Sequence, residues 1–218
     1  MVEARTLSLS ASQSAAYSAV LRNTYMLLSM TLAWSAVTAY ISMQMNFPPM
    51  GFMTLIVYIG LLFAVSKTAN SVWGLFWVFA LTGFLGLTLG PMLNYYTATG
   101  SSGLIAQSLG LTAFVFIGLS AYSLISKKDF SFLSGFLVAG VVIILGLWVV
   151  SIFVDMSAYS MAISGGMVLF ASALILYQTS AIVHGGETNY IMATVGLYVA
   201  LYSLFVHLLS ILGVMGDD

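Results

Sequence analysis

The sequence predicts an all-α integral membrane protein, a bundle of seven transmembrane helices. Three observations carry this. Seven long apolar stretches run along 218 residues, 61% of which are hydrophobic and 5% charged. Ordinary soluble proteins hold about 25% charged residues, so this chain lacks the means to build a hydrated surface. The apolar runs are also continuous, without the period-two alternation over about ten residues that marks barrel strands. Lipid cannot satisfy backbone polar groups, so such runs must close their hydrogen bonds as helices.

The elements follow in order. Residues 1–23, rich in Ser and Ala, read as a cytoplasmic tail, and residues 24–214 as the seven-helix domain. The first span covers Thr24 to Met45 and ends at Asn46, Pro48 and Pro49, because proline lacks the N–H a helix interior needs. It starts after Arg22 and lasts about twenty residues, too long for a cleaved signal core of about 7–15. The second, Met50 to Ser66, is the shortest. The third, Val72 to Asn94, holds Pro91 near its end, where a kink or a stop is expected. The fourth runs from Leu104 to Ile125, the fifth from Phe132 to Val154 and the sixth from Ala158 to Val183. The seventh runs from Tyr190 to Val214, and residues 215–218 form a short tail. Each approaches the ~20 residues that cross about 30 Å of hydrocarbon.

Basic residues set the expected orientation. Arg5, Arg22, Lys67, Lys127 and Lys128 all fall on the side of the N-terminal tail when the gaps are numbered in turn. By the positive-inside rule that side is cytoplasmic, and seven spans place the C-terminus outside.

Composition narrows the chemistry. A net charge of −1 gives no basic face for nucleic acid. The chain has no cysteine and two histidines, so thiolate and zinc sites are not expected, nor any cofactor. It shows no nucleophile elbow, no zinc-protease helix and no phosphate loop, and is read as non-enzymatic. No Asp, Glu, Lys or Arg lies deep in a span, which argues against a charge-driven pump. The intramembrane polar residues include Gln107, Gln178 and His207. His207 reads either as a proton-sensitive group lining a cavity or as a histidine hydrogen-bonded to a neighbouring helix. Gln178 suits interhelical packing.

The segment from His184 to Tyr190 reads mainly as caps. Gly185 or Gly186 suits a left-handed C-cap, and Thr188 or Asn189 can cap the last helix. Glu187 is either a solvated loop carboxylate or a group that pairs with Lys67, Lys127 or Lys128 across a cytoplasmic mouth. Gly83, Gly86 and Gly90 ahead of Pro91 form a small-residue stripe for close helix packing.

These residues resemble the Bax inhibitor-1 family of seven-helix membrane proteins. The likeness is carried by Leu21-Arg-Asn-Thr-Tyr25, by Gly83-Phe-Leu-Gly86 with Leu89-Gly90-Pro91, and by Ser108 to Phe116. Ser108 stands where the family favours Ala. His184-Gly-Gly-Glu-Thr-Asn-Tyr-Ile191 and Leu208 to Gly213 are similar to the bacterial branch that modulates the FtsH protease. The resemblance implies a bundle with its last helix central, set in the bacterial inner membrane. It also implies two activities. One is binding the FtsH protease complex and restraining its attack on membrane proteins, with the N-terminal tail as a handle. The other is a pH-sensitive leak of calcium ions or protons, gated by an acidic pair on the last two helices. That pair corresponds here to Gln178 and Ala200, neither of them acidic, which favours the protease role.

Overall fold

A computed structural model describes the backbone of residues 2–216 and the side chains of residues 17–216. Seven α-helices make up this part of the chain: α1 Val2–Gln44, α2 Phe52–Thr68, α3 Val72–Ala98, α4 Ser102–Ser126, α5 Leu133–Val150, α6 Ser160–Val183 and α7 Tyr190–Gly216. A 3-10 turn, Ser157–Tyr159, precedes α6. Six of these helices are long and apolar enough to cross a membrane, and α2, with 17 residues, is a shorter apolar helix. At 1.5 Å per residue α2 still reaches about 26 Å, close to the hydrocarbon thickness. The protein is a multi-pass membrane bundle.

The N-terminal segment read as a tail continues α1, so this helix has 43 residues and a length of about 65 Å. The side chains of residues 1–16, Arg5 among them, lie outside the described residues, as do Met1, Asp217 and Asp218.

α7 is the central element. It packs against α1, α3, α4 and α6, and fully buries Leu197, Ala200, Leu204 and Leu209. α5 sits at the edge and leans on α6, where the Phe170 ring would lie 2.6 Å from a Cβ at Gly140.

Side chains sort by size and polarity in a way that lipid explains. Phe114, Ile125 and Phe153 face outward, whereas Thr31, Ser35, Thr38, Ser42, Thr82 and Ser108 are buried. Hydrocarbon is as apolar as leucine, so burying leucine between helices gains little. Small residues gain close backbone approach and interhelical hydrogen bonds.

The α1–α3 seam is the tightest example. Thr31, Ser35, Thr38 and Ser42 form one stripe of α1 at helical spacing. Gly83 receives the Trp34 ring, Gly86 lies against Ser35 and Thr38, and Gly90 against Ser42. The glycine stripe of α3 packs against α1 of the same chain.

Pro91 does not stop α3, which continues for seven residues to Ala98. The missing N–H of Pro91 would have bonded to the carbonyl of Leu87. That carbonyl instead accepts from Ser42 Oγ at 2.7 Å. Gly90 lets α1 come close enough for this, and the broken bond is replaced across the seam.

Candidate functional site

A cavity of about 1100 Å³ lies between α2, α5, α6 and α7, with Leu85, Thr88 and Pro91 of α3 at its back. It runs from Pro48, Pro49 and Trp148 at one end to Ser134 and Tyr177 at the other. No lining residue is Asp, Glu, Lys or Arg. Its inner wall carries a band of polar groups. The Tyr202 hydroxyl pairs with Thr88 Oγ1 at 2.8 Å, and Thr88 donates to the Leu85 carbonyl at 2.7 Å, so Tyr202 acts as the donor of the pair. Among the described residues the buried Ser203 hydroxyl has no hydrogen-bond partner.

His207 lines this cavity and also bonds to a neighbouring helix. Its Nδ1 lies 3.3 Å from Ser164 Oγ of α6, which in turn is 3.4 Å from Ser210 Oγ. If Ser164 donates to Ser210, Nδ1 carries the histidine proton and Nε2 is left as an acceptor. The ring thus both lines the cavity and contacts the neighbouring helix.

Ala200 also lines the cavity, fully buried. Gln178 is not part of the wall. Its side chain lies flat over Gly196 of α7, which has no Cβ to hold it off. The structure therefore gives the two positions different surroundings, with Gln178 in the α6–α7 contact.

Above Tyr198 the bundle core has a second polar node. Tyr198 OH donates to the Thr82 carbonyl of α3 at 3.1 Å and accepts from Ser35 Oγ of α1 at 2.6 Å. One α7 side chain thereby ties α1 to α3. Neither Tyr198 nor the α1 hydroxyls stood out in the sequence. Their signal was the 4-3-4 spacing of Thr31, Ser35, Thr38 and Ser42, which hydropathy does not register.

The end of the bundle that holds Lys67, Lys127 and Lys128 is built from caps and loop ties. Gly185 adopts φ +74°, the left-handed C-cap of α6. Asn189 caps α7, its Oδ1 accepting from the N–H of Ile191 at 2.9 Å and of Met192 at 3.2 Å. Its Nδ2 reaches the α2–α3 turn, donating to the Ala69 carbonyl at 3.1 Å. Ser180 Oγ donates to the Lys128 carbonyl at 3.2 Å and accepts from Phe130 N–H at 3.0 Å, which pins the α4–α5 loop to α6. The His184 ring bridges the Ser180 and Lys127 carbonyls, at 2.9 and 3.1 Å.

Glu187 turns back on its own loop, where Oε1 accepts from Asn189 N–H at 2.8 Å. The three lysines point elsewhere. Lys67 lies 5.4 Å over the Phe63 ring, Lys128 sits near Tyr122, and Lys127 forms the left-handed cap of α4 at φ 51°. Among the described residues Glu187 forms no ion pair with any of them, and its one hydrogen bond is to its own loop.

Two aspartates outside the spans form similar turns. Asp129 accepts from Ser131 N–H at 2.8 Å and Asp155 from Ser157 N–H at 2.9 Å. These bonds to the charged form hold both carboxyls below the usual range. A depressed carboxyl contributes stability above its unfolded pKa, about 3.9. It loses that contribution as pH falls through the folded value. The Ser131 and Ser157 amide resonances should therefore hold steady from pH 7 to 5 and move only below about pH 4. Movement of either near pH 6 would show that the turn is not held by its aspartate.

The comparisons with known proteins agree with this architecture. A family profile described as "Inhibitor of apoptosis-promoting Bax1" matches residues 17–217. An uncharacterized protein of Pseudomonas aeruginosa is 56% identical over 203 residues, covering 92% of this chain and 91% of the relative. The "Modulator of FtsH protease YccA" of Escherichia coli K12 is 52% identical over 200 residues, 91% of each chain. The "Inner membrane protein YccA" of Escherichia coli O6:H1 matches to the same extent. With its helices, its central α7 and the span of that profile in agreement, the chain belongs to the Bax inhibitor-1 family.

Proposed function

We propose that this protein modulates the FtsH protease in the bacterial inner membrane, binding the protease complex and restraining its degradation of other membrane proteins. The observation that carries this reading is the 52% identity, over 91% of both chains, to a protein named as a modulator of that protease. The named inner-membrane relative supports the location. The positive-inside rule puts the N-terminus in the cytoplasm and the C-terminus in the periplasm.

On this reading the N-terminal segment is the handle. It continues α1 as helix, and a candidate span of α1 lies within Tyr17–Gln44, by length and composition. Removing residues 2–16 leaves that stretch intact. Affinity purification from native membranes should recover the protease with the full chain and at least tenfold less with the truncated one. No protease with the full chain, together with unchanged turnover of its membrane substrates on overproduction, would sink the proposal.

A leak of calcium ions or protons is the second reading, and the cavity wall does not favour it. Hard cations prefer carboxylate oxygens, and this wall has none. A pH-dependent calcium flux into dye-loaded vesicles, lost in His207→Ala, would reverse the order of the two readings.

A further inference from the structure

We propose that the cavity between α2 and α5 is a binding site for a phospholipid acyl chain, which enters sideways from the bilayer. The proposal does not depend on the protease reading.

Three observations converge on it. The cavity is open to the membrane. Among the described residues α2 and α5 share no extended seam, and a ring pair, Phe52 on Trp148, bridges them with centroids 4.7 Å apart. Beside that pair the walls face the bilayer: Ile59, Val138 and Val142 line the cavity yet are 52%, 66% and 64% exposed.

The lining chemistry suits hydrocarbon. Aliphatic and aromatic side chains form most of the wall, and in its polar band Tyr202 donates to Thr88, which donates to the Leu85 carbonyl. The aliphatic stretch of α2 and α5 offers water few hydrogen-bond partners, and it is this stretch that opens on lipid.

The opening then selects the occupant. A cavity of about 1100 Å³, somewhat above the ~300–1,000 Å³ common for ligand pockets, has room for an acyl chain, and a flexible chain can enter past Ile59, Val138 and Val142 from the surrounding lipid.

The test uses the full protein in phosphatidylethanolamine and phosphatidylglycerol vesicles, doped with a phospholipid whose acyl chain carries a diazirine. After photolysis, labelled residues are mapped by mass spectrometry. Labelling of Leu137, Val141 and Tyr202 should exceed that of Phe114 and Ile117, on the outer face of α4, several-fold. Val141→Trp with Leu145→Trp should abolish the excess, and Ile143→Trp, outside the cavity wall, should leave it. Equal labelling of both sets, or an excess that survives the double replacement, overturns the proposal.

A second arm needs no bulky substitution. The chain has no cysteine, so Val206→Cys, at a partly buried position, gives a single reporter in the wall. Protection from a membrane-impermeant thiol reagent supports a lipid-filled site. Rapid modification shows a water-filled one and overturns it.

Discussion

Gly90→Leu should unfold the α1–α3 seam, with a loss of about 3 kcal/mol or more, at the upper end of the range for overpacked interiors. A Cβ at this position would overlap Oγ and Cβ of Ser42 and press on its backbone carbon at 3.0 Å. Side-chain rotation does not move Ser42 Cβ, so α1 must shift. That movement would also separate Ser35 from Tyr198 and Ser42 from Leu87. Gly103→Leu is the matched control, since a Cβ there meets nothing within 4 Å. Thermal unfolding in detergent, followed by circular dichroism, should show a large drop in midpoint for the first and little change for the second. Equal midpoints would mean that the seam is not close-packed.

The second large effect is a rescue. Ser42→Ala strips the Leu87 carbonyl of the hydroxyl that stands in for the missing Pro91 N–H, leaving that acceptor short of a partner inside the membrane. The expected cost is about 1–2 kcal/mol, between the average for interhelical membrane bonds and the penalty of an orphaned group. Pro91→Ala restores an N–H to the helix and gives Leu87 its own partner back. In that background Ser42→Ala should therefore cost close to nothing. A double-mutant cycle reads the coupling directly. Additive losses would show that Ser42 and Pro91 act independently, and the explanation for the uninterrupted helix would fail.

These two experiments mark where sequence reading succeeded and where it ran out. Helices were legible because lipid imposes one rule: an apolar run about twenty residues long must close its own hydrogen bonds. The glycines and Pro91 were visible as a stripe, and Asn189 as a cap. The partners were not. Nothing local tells Gly90 that Ser42 will face it, 48 positions earlier, or Leu87 that it will need a donor from another helix. Expecting Pro91 to kink or stop α3 was sound for an isolated helix, and the neighbour overrode the stop. The cavity was illegible for a related reason. Its wall draws on five helices, and its residues look like any lipid-facing set until α5 is seen to lean mainly on α6. Glu187 looked free to reach a lysine because sequence does not show that its own loop holds it.

The continuity of α1 has a mechanical consequence. A motor gripping the amino end would pull along one unbroken rod, and the rod would pass its load straight to the packing against α3, α6 and α7. That contact would be loaded in shear, with Trp34, Ser35, Thr38 and Ser42 all strained together. Peripheral α5, the easiest helix to detach, would carry almost none of the tension. Force entering from the N-terminus thus meets the bundle at its strongest joint first, and the weak edge offers no place for extraction to begin.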